Sequence, residues 1–545
     1  MSTVHRSHAK VALIFGGLAC LAMLLRLFAG GAVGLADNGD GHRLICQLGL
    51  RPAPMPDGVP GWAYANPYYE EFTWYGEACS AGGTGEPYLS TQALLLLGAK
   101  ALTPLLGSEA ALDLRALGIL CALIFGVAIA VNFMVMPFAV WLRGVVVIGM
   151  ALVVLDSTIA TYFISPLSEP AGLLGTLFLI AALFRMLRGR RTTVGAILLV
   201  AFAALWCIAD KTQTASYLVG TLLALFLRPA HFPWAGHWVQ RLRDAGEDAA
   251  GQKGPVRPSR LGAVLRRGPA ALISVGLLAV TVQFQGMQAR HLGEIYTFHQ
   301  LFVEILPNSP TPRQDLADLG LDPNWERYSG KNILTAPLVW SPEYEQMLHL
   351  RTADLVSFHL NHPDRLAGLA DRGMVGLTRT RASYLGNYLA DSGAGPYAKE
   401  CRVCLVQPLL TFMRPIRWFV FPPLVFGAAV FGAVTVFRRR SPLAARAGAA
   451  VVVVFAASTV VQFWAVMVTD GSNDLDKHMI FTLYGLTLMG PLLVATVLTS
   501  LGIGSEPGAS SQMAALPRQK KASAPASSWF GSGRNSNAWF VRSRR

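Results

Sequence analysis

Ten apolar runs recur along the chain, several of them about 20 residues long, and this recurrence limits the fold more than any single motif does. They lie at about 11–34, 116–136, 145–163, 172–184, 194–208, 214–227, 270–284, 418–437, 447–468 and 479–501. A backbone inside hydrocarbon must satisfy its own hydrogen bonds, so each run predicts a helix. The fifth and sixth are short, and a tilted or broken geometry suits them. Composition agrees. Hydrophobic residues make up 53% and charged residues 14% of the chain, with mean hydropathy +0.42, whereas soluble proteins carry about 25% charged residues. The expected fold is an all-α polytopic membrane protein with about ten transmembrane helices and a mainly helical external loop domain.

The net charge of +14 would suggest a nucleic-acid partner in a soluble protein. Here the excess sits in short loops and tails, which is the orientation signal of membrane proteins, so no nucleic acid is expected. Arg6 and Lys10 precede the first run, Arg185, Arg188, Arg190 and Arg191 follow the fourth, and Arg438, Arg439, Arg440 and Arg446 follow the eighth. These basic turns assign the cytoplasmic side. Ten spans then put both termini inside. The resulting organisation is a cytoplasmic N-terminus (1–10), six membrane helices (11–229) with an external loop at 36–110, and a basic cytoplasmic linker (230–268). A seventh helix (269–287), an external domain (288–417), three more helices (418–501) and a basic disordered tail on anionic lipid (502–545) complete it. The first run is too long for a signal-peptide core and lacks an obvious cleavage site. Residues 90–106, interrupted by Lys100 and Pro104, read as an interfacial or re-entrant helix. The 288–417 stretch holds 13 basic and 13 acidic residues, so it is placed outside by counting spans. Helical signals within it cover 310–319 and 341–360.

Four polar turns fall on the same predicted side: Asp37–Arg43, Ser165–Glu169, Asp210–Gln213 and Asp470–His478. Asp37 and Asp40 sit among glycines where the first run ends. A carboxylate there can act as a general base toward a hydroxyl or bind a divalent cation such as Mg or Mn; the plain alternative is a polar loop that ends a helix. Asp156 lies deep in an apolar run and is a functional candidate by default, with Tyr162, Ser165, Ser168 and Glu169 downstream. Ser168 is equally placed to cap the fourth helix, with Pro170 early in it. Lys211, beside Asp210 and Gln213, can neutralise a phosphate or simply pair with Asp210. Asp474 and Asp476 stand among the cations Lys477 and His478, which can hold a phosphate leaving group; the plain alternative is an exposed hydrophilic turn. Arg26, inside the first run, can pair with a carboxylate such as Asp156 or snorkel. Of seven cysteines, Cys20, Cys121 and Cys207 lie in spans. Cys46, Cys79, Cys401 and Cys404 are predicted outside, where disulfides form; Cys46–Cys79 with Cys401–Cys404, or bridges between the two loops, all fit. No nucleotide-binding motif occurs in a plausible context.

Asp37-Asn38-Gly39-Asp40, directly after the first span, resembles the opening acidic motif of multi-spanning GT-C glycosyltransferases. More narrowly it resembles that of the hexose transferases of bacterial cell-surface glycan biosynthesis, the WsfD-like group. Tyr162-Phe163-Ile164-Ser165-Pro166-Leu167-Ser168-Glu169-Pro170 is similar to the family's aromatic–Ser–Glu–Pro turn. Phe298-His299-Gln300-Leu301-Phe302 through Leu321 looks like its external segment, and Asp470-Gly471 through Asp476-Lys477-His478 like its late acidic loop. Two departures stand out. Gly41-His42 replaces an aromatic pair, and Cys401-Arg402-Val403-Cys404 has no counterpart. The resemblance implies a bacterial plasma-membrane enzyme with an external active face, a polyprenyl-phosphate sugar donor, a glycan acceptor and inverting transfer. Asp37 or Asp40 would then be the base, and Glu169 would orient the acceptor or help bind a cation. Asp156, Tyr162, Ser168, Gln213 and Asp476 would line the substrate site, and Lys211, Lys477 and His478 would offset charge on the lipid phosphate. The rivals are a lipid-linked glycan flippase or transporter, a glycan polymerase or ligase, and a non-catalytic envelope-assembly scaffold. A transporter would be expected to show an internal repeat and polar groups at the midplane; here no repeat is evident and the polar turns gather on one face.

Overall fold

The computed structural model describes residues 3–36, 39, 41–75, 79, 88–189, 192–227, 260–288, 290–333, 335–336, 338, 344–347, 349–379, 381–438 and 440–504. Among these, seven helices are long and apolar enough to cross a membrane: Ser7–Phe28, Leu114–Val135, Glu169–Leu187, Arg267–Gly286, Val406–Phe437, Leu443–Thr469 and Leu475–Ser500. The protein is thus an all-α polytopic membrane protein. The third predicted span is a bent pair of helices, Val140–Leu155 and Ser157–Ile164, with 58° between them, the geometry of a broken span or a re-entrant loop. The predicted fifth and sixth spans are the shorter apolar helices Val194–Ile208 and Thr212–Leu227. At about 1.5 Å per residue, 15 residues reach only about 22 Å, less than the roughly 30 Å hydrocarbon core. Among the described residues the ten expected spans therefore resolve into seven helices long enough to cross, one bent pair and two short helices. Gln92–Leu102 continues as a tight turn to Leu106 and, as expected, is too short to span.

Large apolar side chains such as Leu13, Phe202 and Phe419 face outward, where lipid and not water is the solvent. Helices then attract one another mainly by close packing, which small residues permit. The first helix and Leu114–Val135 cross at Gly16 and Gly126; a Cβ on either would lie 2.7 Å from the other's carbonyl oxygen.

The break in the third span has a definite cause. Asp156 adopts an extended backbone (φ −60°, ψ 142°) and its side chain accepts from the Thr158 N–H at 2.9 Å, starting a new helix. Its other carboxylate oxygen accepts from the backbone N–H groups of Leu405 and Val406, at 2.7 and 2.9 Å. Beside it, Arg26 donates to the Leu155 carbonyl and the Ser157 hydroxyl and pairs with Glu400, not with Asp156. Arg381 reaches the same Glu400 carboxylate at 3.1 Å. Cys401 and Cys404 are joined by a disulfide, and the Val403 carbonyl between them accepts from both the N–H and the hydroxyl of Ser157 at 2.7 Å. Cys46 sits beside Cys79, its Sγ 2.9 Å from the Cys79 carbonyl oxygen.

The 288–417 stretch is mainly helical. The signal at 310–319 is the helix Pro312–Asp318, and that at 341–360 divides into Tyr344–Met347 and Thr352–Asn361. Pro363 opens a further helix, Pro363–Leu377, because proline suits the first helical position. Phe298, Phe302, Trp325, Leu338, Leu355 and Phe358 share an apolar core of their own. The small sheets were not legible in the sequence. Val33–Leu35, leaving the first helix, pairs antiparallel with Leu385–Tyr388. Leu50–Pro52, Tyr68–Glu71 and Leu112–Asp113 form a three-stranded sheet.

Candidate functional site

The strand Val33–Leu35 carries the chain off the first helix and toward the bundle's polar end. Asp37 and Asp40 lie outside the described residues. Their neighbours Gly39, His42 and Arg43 line a cavity of about 400 Å³. Gly41 is closely approached: a Cβ on it would lie 2.5 Å from Cγ of Pro166. That contact accounts for the departure at Gly41, since an aromatic residue has no room there.

The second turn arrives from the broken span. Thr161–Ile164 forms a tight helical turn, and the next helix starts at Glu169. Ser168 does not cap it with its side chain. Instead Gln92 accepts from the Ala171 N–H at 3.1 Å, supplying one of the partners that helix starts lack. Ser168 and Glu169 thereby stay available to the cavity, with the Tyr88 hydroxyl 3.4 Å from the Ser168 hydroxyl. Tyr88 is a buried phenol whose pKa burial pushes up to about 12, so it remains a neutral donor.

Lys211 pairs with Glu169, Nζ to Oε1 2.9 Å, rather than with Asp210. Asp210 packs against the Glu169–Leu187 helix, where a Cβ on Gly172 would meet its Oδ2. The fourth turn is pressed onto the π-helical segment Gln300–Ile305. Gly471 (φ +60°) lies so close that a Cβ would be 2.5 Å from Cβ of Glu304. Ser472 and Arg372 both bond the Glu304 carboxylate. Asp474 takes a left-handed backbone, φ +45°, which is strained for a non-glycine residue. Its carboxylate accepts from Tyr384 at 2.9 Å and pairs with Lys477 at 3.0 Å.

These turns meet in one polar chain. The His478 Nδ1 lies 2.8 Å from the Gln213 amide and 3.5 Å from Lys211 Nζ, and its Nε2 is 2.6 Å from Asp470 Oδ2. Asp470 Oδ1 is in turn 3.1 Å from His299 Nδ1. Burial alone would raise the Asp470 pKa, but the two histidines outweigh it and hold the carboxyl well below the usual range. The cavity is thus rimmed by groups that can accept, donate and stabilise charge.

Of the residues singled out in the sequence, Ser168, Glu169, Lys211, Lys477 and His478 line this cavity, and Gln213 stands directly behind His478. Three do not come to it. Asp156 is committed to the backbone of Leu405 and Val406. Tyr162 is fully buried in the turn Thr161–Ile164. Asp476 points to Arg379, 3.8 Å away. The structure adds Tyr88, Tyr296, His299 and Asn332 to the lining, beside Asp470 and Asp474 of the predicted turn Asp470–His478. Only the Phe298–Phe302 and Asp470–His478 motifs gave any hint of these. Among the described residues, the one trio with metal-ligand geometry is Asp315, Asp318 and His362, outside the cavity lining. The cavity carboxylates Glu169, Asp470 and Asp474 each already carry a cationic or imidazole partner, so the described residues offer no ready cation site there.

No curated protein and no solved structure matches the chain. The sequence model of the YfdI N-terminal transmembrane domain matches residues 2–499, nearly the whole apolar bundle and the segments between its helices. The chain belongs to the YfdI N-terminal transmembrane domain family.

Proposed function

We propose that this membrane protein is a GT-C-type glycosyltransferase that moves a hexose from a polyprenyl-phosphate donor to a glycan of the cell envelope. In this reading the cavity faces the outside of a bacterial plasma membrane, both termini are cytoplasmic, and the WsfD-like group is the narrower likeness. The observation that supports it most is the meeting of four polar turns, spread from Gly39 to His478, on one cavity at the end of an apolar bundle. A lipid-linked donor reaches such a site from within the bilayer while a polar acceptor enters from water.

The chemistry follows from what the residues can do. Asp37 or Asp40 takes the proton from the acceptor hydroxyl. The hydroxyl oxygen attacks the anomeric carbon opposite the phosphate, the bond to the phosphate oxygen breaks with its electron pair, and the configuration inverts. Lys211, Lys477 and His478 stabilise the departing phosphate. Glu169, tied to Lys211, orients both that cation and the acceptor.

The test uses purified protein in lipid with a panel of polyprenyl-phosphate hexoses and an envelope extract as acceptor. Wild type should consume donor and release polyprenyl phosphate. Either Asp37→Asn or Asp40→Asn should reduce turnover by about 10²- to 10⁴-fold, and Glu169→Gln should reduce it as well. No turnover by folded wild type with any donor overturns the reading. Movement of lipid-linked sugar across vesicles without bond formation would indicate a flippase, and full tolerance of the double Asp→Asn variant a scaffold.

A further inference from the structure

The charged groups lining the cavity are almost all spoken for. Glu169 holds Lys211, Asp474 holds Lys477, and Asp470 sits between His299 and His478. His42 packs edge-on against Trp74, ring centroids 4.6 Å apart. Arg43 differs. Its guanidinium carbon lies 6.0 Å from the centroid of the Tyr88 ring, and it has no carboxylate partner among the described residues. It is half-buried on the cavity wall. A guanidinium over an aromatic face is held in orientation while its N–H fork stays open. The Tyr88 hydroxyl is turned the other way, toward Ser168 on the Glu169 turn.

We infer that Arg43, seated on Tyr88, is the ground-state receptor for the phosphate of a lipid-linked substrate, and that the two lysines are not. This rests on the transferase reading for the identity of the lipid but not for the existence of the anion site. Each lysine already has a carboxylate at 2.9–3.0 Å, so a resting phosphate gains little net attraction from them. Arg43, with no carboxylate partner among the described residues, offers a planar cationic fork that matches two phosphate oxygens. The lysines gain their advantage when negative charge grows on the leaving oxygen, and they then act on the rate more than on binding.

The experiment measures binding of polyprenyl phosphate to the intact protein in zwitterionic nanodiscs, with the matching polyprenol and inorganic phosphate as separate arms. Arg43→Gln should weaken polyprenyl phosphate binding by about ten- to a hundredfold and leave polyprenol binding unchanged. Arg43→Lys should recover only part of it, because a point charge does not reproduce the fork. In turnover, Arg43→Gln should raise the KM for donor, while Lys211→Gln should lower kcat. Thermal unfolding of each variant separates misfolding from lost binding. Equal polyprenyl phosphate affinity in wild type and a folded Arg43→Gln overturns the inference. So does equal loss of polyprenol binding, which would mean Arg43 only shapes the cavity. Tight Arg43-dependent binding of inorganic phosphate alone would make the ligand a free phosphate rather than a lipid headgroup and overturn the lipid assignment. Arg43-dependent lipid binding in a wild type without transfer would overturn the transferase reading and leave the anion site standing.

Discussion

Two groups of buried charges in this protein look alike in sequence and behave differently in space. One gathers Arg26, Asp156, Ser157, Arg381 and Glu400; the other gathers Glu169, Lys211, His299, Asp470 and His478. In both, ions are withdrawn from water and paired at hydrogen-bonding distance. The first group is closed. Its oxygens are spent on backbone N–H groups of Leu405 and Val406 and its donors on the Leu155 carbonyl. It knots the first helix to the disulfide turn Cys401–Cys404, next in the chain to the strand Leu385–Tyr388 that pairs with the strand preceding Asp37. The second group is open: its pairs are side chain to side chain and face a cavity of about 400 Å³. A buried charge is a candidate for a site when space remains beside it. Otherwise it is a fastening, and Asp156 is one.

The comparison is breakable, and the largest effect should come from the closed group. Glu400→Gln leaves Arg26 and Arg381 buried without their counter-charge, which costs about 3–5 kcal/mol. Thermal unfolding in detergent should show a destabilised protein whose surviving folded fraction keeps the donor binding proposed above. A variant of normal stability that no longer binds donor would move Glu400 into the site.

The next largest effect should come from acid, on the side of the open group. His359, packed behind the cavity with Nε2 2.8 Å from the Gln300 amide, has its pKa lowered to about 4 by burial, helped by Arg372 and His362. Its unfolded form takes a proton near pH 6.5, so its contribution to stability is complete above about 6.5 and is lost as pH falls toward 4. The full loss is on the order of 3 kcal/mol. Asp470 is held below the usual carboxylate range, so its contribution persists over that same interval. Unfolding temperatures at pH 7 and pH 5 should therefore drop in wild type and drop less in His359→Leu. An equal drop in both would place the acid-sensitive group elsewhere.

The mildest test concerns Asp156. Asp156→Asn keeps one acceptor oxygen but weakens the clamp on Leu405 and Val406, at a cost of about 2 kcal/mol. The turnover proposed above should not change per folded molecule. A turnover loss as large as that of Glu169→Gln, at equal stability, would join the two groups into one site.

What the chain determined by itself is the class of fold and the collection of polar turns. Apolar runs of about 20 residues admit few structures in hydrocarbon. Charges at their ends must gather where water or each other can reach them, and Ser168, Glu169, Lys211, Lys477 and His478 do gather. Sequence position could not say which charges have room beside them. Asp156 in an apolar run and Glu169 at the start of one look equally functional until the 405–406 backbone is found against the first and a cavity against the second. It could not say that Lys211 would choose Glu169 over its neighbour Asp210, because that choice depends on how the Glu169–Leu187 and Val194–Ile208 helices pack. Nor could it bring His299 to Asp470. Their meeting needs Gly471 to let a turn 171 residues away close onto the segment after His299. Local rules set which groups each turn carries; long-range packing alone decides which of them share a space.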